Sequence, residues 1–200
     1  MKKKLKNIPT KAELSKRAKR IRLLLSDCDG VLTDTGAYYS EWGESLKKFS
    51  IRDGMGVVLL RNAGIECGFL SGETSGSLRR RAEKLNITHV LLGVQDKYQY
   101  VKKFAKQYHL KLEEIAYIGD DVNDYELISI LKKISLTAAP SDAIPLVQAE
   151  VNYVCNTSGG HGAFREFADW IIGLCGQNIQ DLVQNKIQAN TSEHQIQEPV

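Results

Sequence analysis

The sequence predicts an α/β protein, a parallel sheet covered by helices on both faces with one small β-hairpin added. Three observations carry this. Short, almost wholly apolar runs recur near residues 21–27, 65–70, 88–93, 114–119, 134–138 and 151–155, as strands buried on both faces require. Longer amphipathic stretches alternate with them near 54–63, 74–85, 97–108, 122–131, 142–148 and 161–174, the pattern of strands joined by crossover helices. Polar clusters follow four of the runs. In an open α/β sheet, loops at the carboxyl ends of the strands converge on one crevice, so the clusters predict a single site.

Along the chain, Thr10 to Arg20 reads as a short charged helix leading into the first strand. Much of the basic excess lies before residue 23, at Lys2 to Lys4, Lys6, Lys11, Lys16, Arg17, Lys19, Arg20 and Arg22. Its ordinary reading is a solvated helix face. The alternation of strands and helices then breaks once. Gly36 to Ser40 and Glu44 to Ile51 flank Glu41-Trp42-Gly43, a hairpin with a glycine turn. A lone hairpin is marginal in water, so it is expected to pack on its own core or on another subunit. Beyond Gly176 the chain is rich in Gln and Asn, and Asn190 to Val200 has little to bury, so a frayed helix followed by disorder is expected. The division is therefore a basic N-terminal helix over 1–20, one α/β domain over 21–175 and a polar, flexible tail over 176–200.

Bulk properties narrow the function classes. With 200 residues, 42% hydrophobic and 26% charged, the chain suits one domain that buries roughly 70% of its extended-chain surface. A net charge of +3 is too slight to argue for nucleic acid. No apolar run reaches the ~18 residues of a membrane span. The basic N-terminus lacks the apolar core and cleavage site of a secretory signal. Cys28, Cys67, Cys155 and Cys175 show no CxxC spacing and sit in or beside apolar patterns, which fits reduced thiols in a cytoplasmic protein.

The chemistry is carried by Asp27-Cys28-Asp29-Gly30-Val31-Leu32-Thr33-Asp34, Ser71-Gly72-Glu73, Lys97 and Gly119-Asp120-Asp121-Val122-Asn123-Asp124. A carboxylate can attack a phosphate monoester and split one hard displacement into two easier ones. Asp27 is the expected nucleophile. Asp29, two residues on, can protonate the leaving oxygen and later deprotonate a water. Two carboxylates and a dianion need a cation. Asp120, with Asp121 or Asp124 behind it, offers oxygen ligands that suit Mg²⁺, and the main-chain carbonyl of Asp29 offers another. Ser71 and the amide of Gly72, at a strand-to-helix turn, can donate to phosphate oxygens. Lys97 adds positive charge for the phosphate and for Asp27. Taken singly each element has a plainer reading. A DxDG run can open a calcium loop, but the twelfth position is Tyr38 where that loop needs a carboxylate. Ser-Gly is often only a turn, and a GDD triplet is often only a helix cap. Four such elements in this order, each after a strand, argue for the site.

These motifs resemble the haloacid dehalogenase superfamily of phosphatases, with its DxDGxxTD and GDDxxD signatures. Within it, residues 12–174 are similar to the capless 3-deoxy-octulosonate 8-phosphate phosphatase family. The marks are Asp27 to Gly36, Leu46-Lys47-Lys48-Phe49, Arg52-Asp53-Gly54, Leu78 to Glu83 and Gly159 to Glu166. The resemblance implies a Rossmann-like fold with the hairpin in place of a cap domain, and a Mg²⁺-dependent phosphatase. It makes Asp27 the nucleophile and Asp29 the acid/base. It also implies a homotetramer whose neighbouring hairpins and tails complete each site, and a role in lipopolysaccharide biosynthesis.

One departure bears on substrate. Enzymes of the eight-carbon branch carry Ser-Gly-Arg at the second motif, where this chain has Ser71-Gly72-Glu73. The Glu form with Lys84 is similar to the branch acting on nine-carbon 2-keto-3-deoxy-nonulosonate 9-phosphates. Glu73, Ser77, Arg81 and Lys84 fall at i, i+4, i+8 and i+11, one stripe of a 3.6-residue helix. Glu73 and Lys84 would then lie ~16 Å apart along the axis, so joint recognition of one small sugar acid needs a subunit boundary unless the helix breaks. A plain charged face is the other reading. His161 and Trp42 are further positions that can meet substrate or simply lie in a loop or interface.

Rival readings fail on particular residues. A phosphorylated receiver module has no use for Asp29 or the late acidic cluster. A catalytically inactive oligomerisation scaffold is expected to have lost Asp27, Asp29 or Asp120, and all three are present. The intervals between motifs are too short for a substantial cap. The reading is a Mg²⁺-dependent sugar-acid phosphatase, cytoplasmic and tetrameric, with no nucleic-acid or membrane partner.

Overall fold

A computed structural model describes residues 9–184. Its centre is a parallel sheet of six strands in the order β5-β4-β1-β6-β7-β8. The strands are β1 (Leu23–Ser26), β4 (Glu66–Leu70), β5 (His89–Leu91), β6 (Ile115–Ile118), β7 (Thr137–Ala139) and β8 (Tyr153–Val154). The α-helices that join and flank them include α1 (Lys11–Ala18), α2 (Ile51–Asn62), α3 (Gly76–Lys84), α4 (Lys97–Gln107), α5 (Tyr125–Leu131), α6 (Pro145–Gln148) and α7 (Ala163–Leu174).

β1 is buried throughout, and its alternating side chains serve both faces of the sheet. Leu24 packs into a cluster with Val57 and Leu60 of α2, Leu78 of α3 and Phe164 and Phe167 of α7. Leu23 and Leu25 pack into a second cluster with Val101 and Phe104 of α4 and Leu127 and Leu131 of α5. Ala18 of α1 belongs to the first cluster. β1 pairs in parallel with β4 on one side and β6 on the other, Ser26 standing opposite Phe69 and Ile118. The chain therefore leaves β1, builds outward to β5 and returns to β6, which places a topological switch beside β1. The loops after β1, β4 and β6 meet there, as the sequence implies.

Local chemistry moves several boundaries from the expected ones. Ser50 caps α2, accepting from the amide of Asp53, so that helix begins before residue 54. Ser75 caps α3, so that helix begins after residue 74 and Glu73 stands outside it. The expected stripe from Glu73 through Lys84 is accordingly not one helical face. Asp121 accepts from the amide of Val122 and Asp124 from the amides of Asp120 and Asp121, which makes residues 122–124 a single 3-10 turn ahead of α5. Positive φ angles at Gly160 and Gly162 delay α7 to Ala163.

The hairpin forms as expected, β2 (Tyr38–Ser40) against β3 (Gly43–Leu46), with Gly43 at φ +109° closing the turn. Tyr38, Tyr39, Trp42 and Leu46 are all exposed on it, Trp42 to 90%. At the other end, residues 179–184 are helical and Ile179 and Leu182 pack on the first cluster. The disorder expected over 190–200 and the lysines at 2–4 and 6 lie outside the described residues. Three of the four cysteines are buried and all are free thiols. No helix among the described residues is long and apolar enough to cross a membrane.

Candidate active site

Asp27 follows the last residue of β1 and hands its amide to the carbonyl of Ile118 (3.0 Å), which fixes the strand end against β6. Its carboxylate lies with those of Asp120 and Asp124, one oxygen of each within 4.8 Å of the others, all three residues buried. Lys97, the first residue of α4, reaches this cluster from the far side. Its ammonium donates to Asp27 Oδ1 (2.8 Å) and Asp124 Oδ1 (2.5 Å) and contacts the Tyr117 hydroxyl (3.2 Å). Tyr117, on β6, donates to the same Asp124 oxygen (2.5 Å). Asp124 Oδ2 accepts from the amides of Asp120 (2.9 Å) and Asp121 (3.3 Å). Of the two residues expected behind Asp120, Asp124 is the buried partner, whereas Asp121 caps its turn and faces the cleft.

One ammonium does not balance three buried carboxylates. Burial, with the Asp124 carboxylate adding to it and Lys97 opposing, pushes Asp27 up to about 7. Burial, then the Asp27 and Asp124 carboxylates, push Asp120 up to about 8. Lys97 is held above its ordinary value, because Asp27 and Asp124 outweigh its desolvation. Asp120 Oδ1 is buried with no hydrogen-bond partner among the described residues. An oxygen-only donor set with excess negative charge and an orphaned carboxylate oxygen fits a hard divalent cation. The fit extends to the wall of the site. A Cβ at Gly30, whose φ is +92°, would stand 1.9 Å from Asp120 Oδ2, so only glycine leaves the carboxylate its place.

The cluster floors a cleft of about 280 Å³. Asp27 and Asp29 line it on the β1 side, Ser71, Gly72 and Glu73 on the β4 side, and Asp121, Val122 and Asn123 on the β6 side, with Gln95 closing the rim. Ser71 is buried, and its hydroxyl accepts from the amide of Glu73 (3.1 Å). Gln95 Nε2 donates to the Gly72 carbonyl (2.9 Å), tying the two rim loops. Asp29 is held from outside the cleft by Lys47, whose ammonium lies 2.5 Å from Asp29 Oδ1.

The loop ahead of α7 braces the first motif from behind. The amide of Gly160 donates to the carbonyl of Val31 (2.9 Å), and a Cβ at Gly159 would sit 2.0 Å from the carbonyl oxygen of Gly30. Two carboxylates set this loop. Glu166 accepts from the amides of Asn156 and Thr157 and from the hydroxyls of Tyr153 and Thr157. Asp53 reaches across from α2 to accept from the amide of Arg165 (2.9 Å), capping α7 where Gly162 has no side chain to do so.

The structure thus brings Asp27, Asp29, Asp120, Asp124, Asp121, Ser71, Gly72 and Glu73 together, with Lys97 beneath. It does not bring Arg81, Lys84 or His161 into this cleft. Arg81 donates to the Ser50 carbonyl (2.9 Å) and lies over the Phe49 ring. Lys84 ends α3, exposed. His161 is exposed and bonds back to the Gly159 carbonyl (2.7 Å). The sequence reading assigned no role to Lys47, Tyr117, Gln95 or Asn123. Tyr117 carried a signal, a hydroxyl in the middle of a buried run, where it needs a partner.

A family profile for haloacid dehalogenase-like hydrolases matches residues 78–167. The 3-deoxy-D-manno-octulosonate 8-phosphate phosphatase of Yersinia pestis is 34% identical over 183 residues, covering 92% of this chain and 91% of its own. That of Haemophilus influenzae is 36% identical over 165 residues, covering 82% and 90%. Among solved structures, the Moraxella catarrhalis phosphatase in complex with magnesium, phosphate and the sugar acid superposes with a TM-score of 0.79 at 30% identity, over 88% of this chain and 98% of its own. The cobalt-bound Haemophilus influenzae enzyme gives 0.75 at 38% identity, over 80% and 92%. With its fold, its acidic centre and these relatives in agreement, the chain is a phosphatase and belongs to the 3-deoxy-D-manno-octulosonate 8-phosphate phosphatase family of haloacid dehalogenase-like hydrolases.

Proposed function

We propose that this chain is a Mg²⁺-dependent phosphomonoesterase that hydrolyses 3-deoxy-D-manno-octulosonate 8-phosphate through an aspartyl-phosphate on Asp27. The observation that carries the reading is the convergence of Asp27 and Asp29 on one cleft floored by an acidic cluster with an unpartnered Asp120 oxygen. Asp27, the Asp29 carbonyl and Asp120 would hold the cation, with Asp124 behind them and Asp121 on the cleft wall. Bound there, Mg²⁺ supplies the charge neutralisation that lets a phosphate dianion approach carboxylates.

Lys97 holds one oxygen of Asp27 and so orients the carboxylate for attack. A bond forms between the Asp27 oxygen and phosphorus as the ester P–O bond breaks, and Asp29 gives its proton to the departing alkoxide. Ser71 and the Gly72 amide donate to the phosphoryl oxygens. Asp29 then takes a proton from a water that attacks phosphorus, and Asp27 is released as carboxylate with inorganic phosphate.

A second reading, a nonulosonate 9-phosphate substrate, is favoured by Glu73, a charged side chain on the β4 side of the cleft. A carboxylate there suits sugar hydroxyls and repels a substrate carboxylate, which an arginine would pair with. Among the described residues the cleft lining contains no cationic side chain, so the sugar acid's own carboxylate must find its partner elsewhere. Arg81, Lys84 and His161, outside the cleft within one chain, meet that need from a neighbouring copy in a homotetramer. The exposed aromatic hairpin supports such an assembly. A cytoplasmic place in the supply of bacterial surface sugar follows from this substrate.

The test is phosphate release from the octulosonate and nonulosonate esters side by side, with Mg²⁺ or EDTA and with Asp27→Asn as blank. Mg²⁺-dependent release from the first substrate is expected. A large preference for the second would move the assignment to the nine-carbon acid. No release from either would leave the inactive scaffold as the reading.

A further inference from the structure

Lys47 stands outside every role assigned above, yet its surroundings are built. It follows β3, and its side chain is only 2% exposed. A lysine loses both hydration and rotamer freedom on burial, and its neighbour Lys48, which pairs with Asp34, keeps half of its side chain in water. The Lys47 ammonium sits between two carboxylates, Asp29 Oδ1 at 2.5 Å and Glu44 Oε2 at 3.2 Å. Glu44 is pinned in turn, its other oxygen accepting from the Ser75 hydroxyl (2.6 Å), and Ser75 is the cap of α3. A chain of contacts therefore runs from the head of α3 through the hairpin strand to Asp29.

We propose that Lys47 is the positioning residue of Asp29, and that the hairpin sets the aim of this carboxylate through Glu44 and Lys47. The inference rests on the acid/base role given to Asp29 above. Lys47 does not line the cleft, so it acts on Asp29 and not on the substrate. It engages Oδ1 alone. Among the described residues Oδ2 has no partner, and Asp29 lines the cleft with about a third of its side chain exposed. One oxygen is thus fixed from outside while the other is left for the leaving group and the water. Without the ammonium the carboxylate is free to rotate among staggered positions, most of which lose the line to the bound ester.

The experiment is a double-mutant cycle on the full-length, Mg²⁺-loaded protein, with octulosonate 8-phosphate as substrate and Lys47→Met, Lys47→Arg and Asp29→Asn as variants. Loss of a residue that orients a reacting group typically costs ~10–100-fold, so K47M is expected to lower kcat by about that factor with KM changed by less than ~3-fold. K47R, which keeps the charge, is expected to recover part of the loss. In the D29N background K47M is expected to add less than ~3-fold, because its action passes through the missing carboxylate. An undiminished K47M effect in D29N, or no effect in the wild-type background, overturns the proposal. A crystal structure of K47M supplies an arm independent of turnover. An Asp29 carboxylate displaced from its wild-type position supports the assignment, and one left in place overturns it. Absence of Mg²⁺-dependent release by the wild-type protein would instead sink the phosphatase reading, which these arms keep separate.

Discussion

Replacing Lys97 by methionine isolates the electrostatic hinge of the centre. The residue is 2% exposed, and its ammonium faces Asp27 at 2.8 Å, Asp124 at 2.5 Å and the Tyr117 hydroxyl at 3.2 Å. Methionine fills nearly the same volume, so little cavity is created and the loss is one of charge. Removing one partner of a buried ion pair costs ~3–5 kcal/mol, because the other is left uncompensated. For a chain of this size that corresponds to roughly 6–20 °C in Tm, at ~2–4 °C per kcal/mol. The assay is thermal and urea unfolding of metal-free wild type and K97M at neutral pH, repeated with saturating Mg²⁺. A large gap without metal, narrowed by Mg²⁺, is expected. A metal-free K97M that melts within ~3 °C of wild type would refute the reasoning. It would mean that the carboxylates share a proton between themselves and do not depend on the ammonium.

Further predictions concern the carboxylates. Asp27 and Asp120 rise from 3.8 to about 7 and about 8 without a cation. Between their ordinary value and these, the folded chain binds more protons than the unfolded one, so metal-free stability falls as pH rises through this window. The Mg²⁺-induced rise in Tm is therefore expected to be larger at pH 8 than at pH 6, and a pH-independent rise would contradict it. Asp53→Ala removes the cap that α2 lends to α7 and is expected to cost ~1–2 kcal/mol in urea unfolding. Asp53→Asn keeps an acceptor and sheds the ionisation penalty of a carboxyl that burial pushes up to about 6, so it should lie nearer wild type. Equal losses in the two variants would mean that Asp53 does not act as a cap.

Most of the site was legible because its residues sit at strand ends, and strand ends follow from apolar runs. Asp27, Ser71 and Asp120 each follow a stretch whose buried pattern holds in the structure. Residues reaching in from elsewhere escaped. Lys47 arrives from a hairpin with no periodic signal, and Gln95 from a loop. Glu73 misled the helical count because one hydroxyl, that of Ser75, decides where α3 begins. The choice between Asp121 and Asp124 depended on a 3-10 turn that spacing alone does not encode.

The strand order also fixes when the centre can come into being. β1 is early in the chain but central in the sheet, and its second neighbour starts only at Ile115. Asp27, Lys97 and Asp124 are thus brought together by the most non-local pairing around the site, the kind of contact that forms slowly because a long loop must close first. A nascent chain that ends before α4 holds Asp27 with neither the Lys97 ammonium nor the acidic partners at Asp120 and Asp124. The acidic centre is therefore complete only once β6 has closed on β1.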